Sequence, residues 1–138
     1  MQRILALDVG DKRIGLAVSD PLGITAQGLE TFNRTGDEEK DVEYILGVAA
    51  KYAPVKLLFG LPRNMDGSYG FQSEKVRAFA DKVLEKFSGE HVFYDERLTT
   101  VTAENVLNEA KLDWKKRRKV VDKLAAVVIL QGYLQSIS

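Results

Sequence analysis

Three acidic residues stand at positions from which their carboxylates could gather at one edge of a sheet. Asp8 follows the apolar run 4–7, which predicts a strand buried on both faces. Glu96 follows a second apolar strand, and Asp122 lies within a helical pattern. Gathered carboxylates repel one another, and Mg²⁺ or Mn²⁺ relieves that repulsion, polarises a phosphate oxygen and activates water. The pattern therefore predicts a metal centre that cleaves phosphodiesters.

The sequence leaves an alternative open for two of these acids. For Glu96 it is the neighbouring residue Asp95, and for Asp8 it is a purely structural role. Neighbouring side chains on a strand point to opposite faces, so only one residue of the pair Asp95-Glu96 can face the site. We predict Glu96 as the metal ligand and hold Asp95 in reserve. Charged residues just past a strand are also common without any function, and Asp8 could simply cap a turn.

Asp122 is informative because of its place on a helix. At about 100° per residue it shares a stripe with apolar residues. The stripe consists of Asp122, Ala126, Ile129 and Tyr133. A charge on an inward stripe is costly unless it is paired or binds a metal. The alternative is an ion pair with Lys119 or Lys123.

Basic residues predict a polyanionic substrate. Residues 111–123 carry seven positive and two negative charges, whereas residues 37–43 carry five negative charges and one positive. A basic run beside an acidic centre is typical of phosphate-backbone contacts, with Trp114 and Tyr69 available for base stacking, although it can also be a solvated helix end. The candidate substrate-binding residues are Lys12, Arg13, Arg63, Asn64, Arg97, Lys115, Lys116, Arg117, Arg118 and Lys119.

The segment 60–70 is a candidate substrate loop. It contains three glycines and polar residues, which suit backbone N–H donors for phosphate. It matches neither a Walker A loop nor a dinucleotide-binding fingerprint. An ordinary turn is the alternative.

Composition narrows the class of protein and of metal site. The chain has 138 residues, 20 Lys plus Arg, 20 Asp plus Glu, one His and no Cys. This length predicts one domain over 1–138, and the lack of Cys excludes disulfides, thiol nucleophiles and thiolate zinc sites. With neither a signal peptide nor an apolar run of about 20 residues, we expect a cytoplasmic protein without a membrane partner.

The elements that must position these residues follow the order β-β-β-α-β-α-β-α-α. Strands are predicted at 4–7, 13–19, 24–32, 55–60 and 91–94, and helices at about 37–53, 76–87, 102–110 and 117–134. Short links between the first three strands predict an antiparallel meander, and the later strand-helix-strand units predict parallel crossovers.

These predictions combine into an α/β fold with a five-stranded mixed sheet flanked by about four helices. Ligands in such sheets bind beyond the carboxyl ends of the strands, where Asp8 and Glu96 stand. If the fourth strand lies between the first and fifth, these two acids start about 10 Å apart, a gap that two metals bridge better than one.

Four stretches of the chain resemble the YqgF/RuvX family, whose members are described as Holliday-junction resolvases and as nucleases of pre-16S rRNA processing. The stretches are LALDVGDKRIGLAVSD at 5–20, GLPRNMDGSYG at 60–70, YDERLTTVTAE at 94–104 and KKRRKVVDKLAAVVILQGYL at 115–134. The resemblance implies an RNase H-like fold with strand order 3-2-1-4-5, and a divalent-metal site of Asp8, Glu96 and Asp122. Phe71-Gln72 and Lys111 depart from the family's pattern, in places that affect loop shape and substrate preference.

The resulting hypothesis is a hydrolase of structured nucleic acid, an endonuclease that depends on Mg²⁺ or Mn²⁺. Its expected role is processing of the pre-16S rRNA 5′ end in ribosome biogenesis, with Holliday-junction resolution in DNA recombination as the other option. Its partners would be nucleic acid and ribosomal precursor particles, and the protein could be a monomer or a homodimer. A nucleic-acid-binding factor in ribosome assembly or transcription, with little or no catalysis, is the main alternative. The turn after Asp8 is also reminiscent of actin-like ATPases, but those enzymes close two domains around a nucleotide.

Overall fold

The structure is a computed structural model. It describes residues 2–62, 70–95 and 114–137, and for residues 114–123 it describes the backbone alone. Within these residues the chain forms six strands and three helices. They are β1 (Arg3–Val9), β2 (Arg13–Ser19), β3 (Ala26–Gly28), β4 (Phe32–Asn33), α1 (Glu38–Lys51), β5 (Val55–Leu61), α2 (Phe71–Leu84), β6 (His91–Asp95) and α3 (Trp114–Ile137).

All six strands belong to one mixed sheet. Its order is β3-β2-β1-β5-β6, with β4 also paired to β2. β1, β2 and β3 form the predicted antiparallel meander, whereas β5 and β6 run parallel to β1. The mixed sheet predicted from the sequence is therefore confirmed, with β1 in the centre and β5 between β1 and β6.

The count of strands differs from the prediction because the outer strand predicted at 24–32 is interrupted. β3 pairs Ala17 with Gly28, but β4 pairs Ile14 with Phe32, so the outer strand has one residue more than β2 between the two pairs. One extra residue on one strand is a β-bulge, which breaks the ladder locally. The sheet therefore differs in detail from the five-strand order 3-2-1-4-5 that the resemblance implied, because it has six strands and β4 lies off the main path.

The helix boundaries also shift by a few residues. α1 begins after Asp37, whose side chain accepts a hydrogen bond from the backbone N–H of Glu39, and ends at Lys51, ahead of Pro54. α2 begins at Phe71, earlier than its apolar pattern, because Phe71 and Glu74 of its first turn are exposed and the buried Ser73 is polar. The helix predicted at 102–110 lies outside the described residues.

Helices cover both faces of the sheet. α1 and α2 pack on the face that carries Leu5, Leu7 and Val9 of β1, which we call the helix-pair face. α3 packs on the opposite face, which carries Ile4 and Ala6 and which we call the α3 face. The strict alternation along β1 assigns each of its residues to one face or the other. None of the described helices is long and apolar enough to cross a membrane.

Candidate functional site at the carboxyl edge of the sheet

Asp8 lies near the carboxyl end of the central strand, on the α3 face. It follows Ile4 and Ala6 at intervals of two residues, and both of these pack beneath α3. Asp8 is half-buried, whereas Ile4 and Ala6 are buried. The Asp8 carboxylate thus lies at the edge of the apolar interface between the sheet and α3, where it is only partly buried.

The two strands beside Asp8 carry glycine at its level. On β2 its partner is Gly15. On β5, Phe59 pairs with Leu7, so Gly60 is the next residue along the same register, and Gly60 pairs with Tyr94 on β6. Glycine within a strand often marks a place where a ligand approaches the backbone closely. The residues level with Asp8 on both neighbouring strands are therefore glycines.

These glycines are candidate functional residues that the sequence pattern did not single out. Gly15 interrupts an otherwise apolar strand pattern, which was a usable signal. Gly60 was predicted both as the last residue of a strand and as the first residue of the loop, and β5 continues one residue further, to Leu61. Their alignment with Asp8 depends on strand register, which the sequence pattern does not specify.

Arg13 lies on the same face as Asp8, across the β1–β2 turn. It precedes Ile14, which packs on the helix-pair face, so alternation assigns Arg13 to the α3 face. The backbone N–H of Gly10 donates to the carbonyl of Arg13 at 2.8 Å, which makes Arg13 a diagonal neighbour of Asp8. Lys12, in contrast, lines a cleft on the other side of the turn. Of the two predicted cations, the structure brings Arg13 towards Asp8.

Asp95 belongs to the opposite face from Asp8. It pairs with Leu61, which packs in the helix-pair cluster, while the preceding residue Tyr94 packs with α3. Asp95 is half-buried at the last position of β6. Glu96 and Arg97 lie outside the described residues, as do the loop candidates Arg63 and Asn64.

α3 contains the remaining predicted residues. Residues 115–119 and Asp122 are helical, as predicted, although their side chains are outside the description. The described members of the predicted stripe are buried against the sheet: Ala126 is 0%, Ile129 1% and Tyr133 7% exposed. Asp122 precedes Ala126 by one helical turn. The inward face predicted for the middle of this helix is confirmed.

The described residues hold no cluster of three Asp, Glu or His side chains able to bind a metal. Of the four predicted ligand candidates, only Asp8 and Asp95 have described side chains. The two lie on opposite faces of the sheet, so they do not form a shared site by themselves. The predicted three-carboxylate centre stays a prediction.

The two described ends of the candidate substrate loop are joined to α2 by hydrogen bonds. The Ser73 hydroxyl, which is buried, donates a hydrogen bond to the carbonyl of Pro62. Gly70 caps α2, and its carbonyl accepts from the backbone N–H of Glu74 at 3.3 Å. The two described ends of the loop are therefore fixed to the first turn of α2.

α2 begins with an exposed aromatic residue, directly after the candidate substrate loop. Phe71 is 73% exposed, and the Lys75 ammonium lies 4.7 Å from its ring centroid. Lys75 also contacts the Asp11 carboxylate at 3.2 Å, which links α2 to the β1–β2 turn. In the sequence, Phe71 stands out only as a departure from the family pattern. Its position outside the apolar stripe of α2 was the signal for exposure.

A separate cleft of about 770 Å³ lies on the helix-pair side of the β1–β2 turn. Its lining includes an ion pair, in which the Arg34 Nε lies 3.0 Å from the Asp41 Oδ2. Burial alone would raise the pKa of Asp41, but hydrogen bonds from Thr35 and Arg34 hold it below its usual 3.8. Because the cleft lies on the opposite face from Asp8, we treat it as distinct from the candidate site.

Comparisons with known sequences show the family of this chain. The family model of RuvX, described as Holliday junction resolvase, matches residues 2–136. A protein of Clostridium acetobutylicum named "Putative pre-16S rRNA nuclease" is 51% identical over 135 residues. That alignment covers 98% of this chain and 99% of the relative.

Comparisons with solved structures show the fold. T. thermophilus RuvC in complex with a Holliday junction substrate has a TM-score of 0.64 at 16% identity, with 99% of this chain and 96% of that one covered. The Holliday junction resolvase of fowlpox virus has a TM-score of 0.60 at 17% identity, covering 98% and 99%. The resemblance seen in the sequence motifs is thereby confirmed. The chain belongs to the RuvX family of Holliday junction resolvases, and it is an enzyme of the nuclease class.

Proposed function

We propose that this chain is a divalent-metal-dependent endonuclease whose active site lies at the carboxyl edge of β1. The observation that carries the proposal is the position of Asp8, half-buried on the α3 face with Gly15 as its partner on β2. The glycines level with Asp8 on β2 and β5 allow a metal ion and a phosphate to approach the backbone closely. The proposal treats residues 1–138 as one nuclease domain.

Asp8, Glu96 and Asp122 are the proposed metal ligands. Glu96 is preferred to Asp95 because Asp95 occupies the row that faces α1 and α2, away from Asp8. In a continuing strand the next side chain takes the opposite side. This alternation supports Glu96, the ligand predicted from the sequence, over its neighbour Asp95.

Two distances, one along β1 and one along α3, support Asp122 as the third ligand. The Lys56 ammonium donates to the Tyr133 hydroxyl at 2.8 Å, and Lys56 is level with Ile4 in the sheet. Asp8 lies four residues beyond Ile4, about 13 Å along β1. Asp122 lies eleven residues before Tyr133, about 16 Å along α3. A helix that runs back along β1 from the Tyr133 contact therefore brings Asp122 towards the level of Asp8.

The proposed donors fit Mg²⁺ or Mn²⁺. All three are carboxylates, the ligands that hard cations prefer, and the chain has no Cys. β1 and β6 are separated by β5, so ligands from these two strands start about 10 Å apart, a span that suits a pair of ions. When bound, such ions polarise a phosphate oxygen and lower the pKa of a bound water.

The remaining candidates have roles in holding the substrate. Arg13, on the α3 face, can hold a phosphate next to Asp8, and the basic residues at 115–119 can contact the nucleic-acid backbone. Phe71 offers an exposed ring on which an unpaired base can stack. Arg63, Asn64 and Arg97 keep their proposed role in substrate binding.

We take the precursor of 16S rRNA as the first substrate to test, because the relative in Clostridium acetobutylicum carries that name. A nuclease of this precursor works where ribosomes assemble, so the proposal includes a cytoplasmic location and pre-ribosomal particles as partners. The family description makes a four-way DNA junction the second substrate, linked to recombination. A symmetric junction would be matched by a homodimer, whereas trimming of rRNA needs only a monomer.

The test compares purified wild-type protein with Asp8→Asn in Mn²⁺ buffer on both substrates. Asp11→Asn is the matched control, because Asp11 lies three residues further on and its side chain is 61% exposed. We expect Asp8→Asn to lose cleavage at least a hundredfold and Asp11→Asn to keep it. Equal cleavage by wild type and Asp8→Asn would refute the proposed centre. Salt-sensitive binding without any cleavage would favour the binding-factor alternative.

A further inference from the structure

We propose that Arg34 and Asp41 are positioning residues for the nuclease site, because they fix the β1–β2 turn that joins Asp8 to Arg13. This inference rests on the proposed function for its catalytic consequence. Neither residue reaches the α3 face, so they act through the backbone of the turn and have no direct contact with substrate.

Arg34 holds both sides of the turn. Its Nη1 donates to the carbonyl of Gly10 at 3.0 Å, and its backbone N–H donates to the carbonyl of Lys12 at 2.8 Å. Gly10 stands two residues after Asp8, and Lys12 stands directly before Arg13. A displacement of the turn would therefore move both residues that the proposed site places near the phosphate.

The turn itself is tight, which makes it sensitive to such a displacement. The Gly10 N–H donates to the Arg13 carbonyl at 2.8 Å. A Cβ atom added to Gly10 would lie only 2.8 Å from that same oxygen. The backbone on the two sides of the turn is in close contact, so movement on one side is passed to the other.

Asp41 connects Arg34 to α1. The Asp41 residue is 1% exposed, and its carboxylate accepts from the Arg34 Nε at 3.0 Å. It also accepts from the backbone N–H of Thr35 at 3.0 Å and from the Thr35 hydroxyl at 2.9 Å. Asp41 lies in the first turn of α1, next to Val42 in the core. The turn is thus held to α1 by two hydrogen bonds of the Arg34 guanidinium, one to the Gly10 carbonyl and one to the Asp41 carboxylate.

α2 completes the anchor. The Arg34 guanidinium lies 4.9 Å from the ring centroid of Phe79, which is 1% exposed on α2. The ring restricts the guanidinium on one side while Asp41 fixes its Nε. The fork can then direct Nη1 at the Gly10 carbonyl. A lysine at this position has a single ammonium and cannot reach two acceptors in this geometry.

The test uses Arg34→Lys, which keeps a cation opposite Asp41 but removes the fork, and Asp41→Asn as a second variant. Ile45→Val is the control, since Ile45 is fully buried on α1 and outside this network. Three readouts are needed: Mn²⁺ affinity by calorimetry, kcat and KM for nucleic acid, and hydrogen exchange of the Gly10 amide. All are measured at a temperature where every variant is folded.

We expect Arg34→Lys to lower kcat and weaken Mn²⁺ binding by about tenfold, with KM changed less than twofold. Its Gly10 amide should exchange about tenfold faster, whereas Ile45→Val should match the wild type in all three readouts. A merely structural role predicts lost stability with wild-type kcat, Mn²⁺ affinity and exchange, and that result overturns the proposal.

The exchange measurement separates this proposal from the proposed function. If the wild type neither binds Mn²⁺ nor cleaves, the proposed function fails and the catalytic consequence fails with it. Faster exchange at Gly10 in Arg34→Lys would then still establish that Arg34 fixes the turn. Unchanged exchange would overturn that part as well.

Discussion

Asp41→Asn should destabilise the protein strongly at neutral pH and progressively less in acid. The wild-type carboxylate accepts three hydrogen bonds, from the side chain of Arg34 and from the backbone and hydroxyl of Thr35. An asparagine keeps one acceptor oxygen and loses the charge. Hydrogen bonds to charged groups contribute about 1.5–3 kcal/mol each, and breaking a buried pair costs about 3–5 kcal/mol. The Arg34 side chain is 19% exposed, so water compensates in part, and we expect a loss of about 2–4 kcal/mol.

The pH dependence follows from the direction of the pKa shift. Burial acts to raise the pKa of Asp41, but the hydrogen bonds from Thr35 and Arg34 outweigh it and the net shift is downward from 3.8. A carboxyl group with a lowered folded pKa contributes stability above its unfolded pKa and loses that contribution as the pH falls through the folded pKa. The difference between wild type and Asp41→Asn should therefore be constant from pH 7 to about pH 5 and shrink below about pH 4.

Urea unfolding at several pH values measures this difference. With a slope of about 2 kcal/mol per M, the expected loss shifts the urea midpoint by about 1–2 M at pH 7. Glu38→Gln is the matched control: it removes an ion pair from the same end of α1, with Lys82 at 2.7 Å, but that pair is exposed. We expect the control to move the midpoint little. A gap for Asp41→Asn that stays constant down to pH 3 would refute the assigned role of its charge.

Three further predictions concern the turn, the exposed ring and the basic helix. Gly10→Ala should lower the free energy of unfolding by about 1–3 kcal/mol, because its Cβ would meet backbone, whereas Gly47→Ala, with open space around its Cβ in α1, should raise it by about 0.5–1 kcal/mol; equal urea midpoints for the two variants would contradict this. Phe71→Ala should weaken binding of single-stranded nucleic acid by about 1–3 kcal/mol if the exposed ring stacks on a base, measured by fluorescence anisotropy, and unchanged affinity would exclude stacking there. Lys116→Ala should reduce the slope of log affinity against log salt by about one, and an unchanged slope would remove Lys116 from the interface.

Much of the architecture could be predicted because it is encoded in local periodicity. The apolar run before Asp8 specified a central strand, and the helical spacing of Ala126 and Ile129 specified the buried stripe of α3. The prediction at 24–32 was correct in type but missed the bulge. A single extra residue changes the register without changing the apolar character of the segment.

The site was predictable as a set of residues but not as an arrangement. The sequence identified Asp8 and Arg13, and the structure showed that they share a face while Lys12 lines the other side of the turn. The glycines beside Asp8 were not identified, because only strand pairing brings Gly15 and Gly60 to its level. The Arg34–Asp41 anchor was missed for a similar reason: Arg34 lies 24 positions from the carbonyl of Gly10 that it holds.

The sequence by itself determined which acid lies near the carboxyl end of the central strand, which helix face is apolar, and which family the chain resembles. These properties depend on the order and spacing of neighbouring residues. Only the tertiary structure decided that Asp95 faces away from Asp8, and that a buried ion pair on the opposite face holds the turn after Asp8. Both depend on hydrogen-bond register between separate elements, which is fixed when the sheet and helices pack together and side chains distant in sequence come into contact.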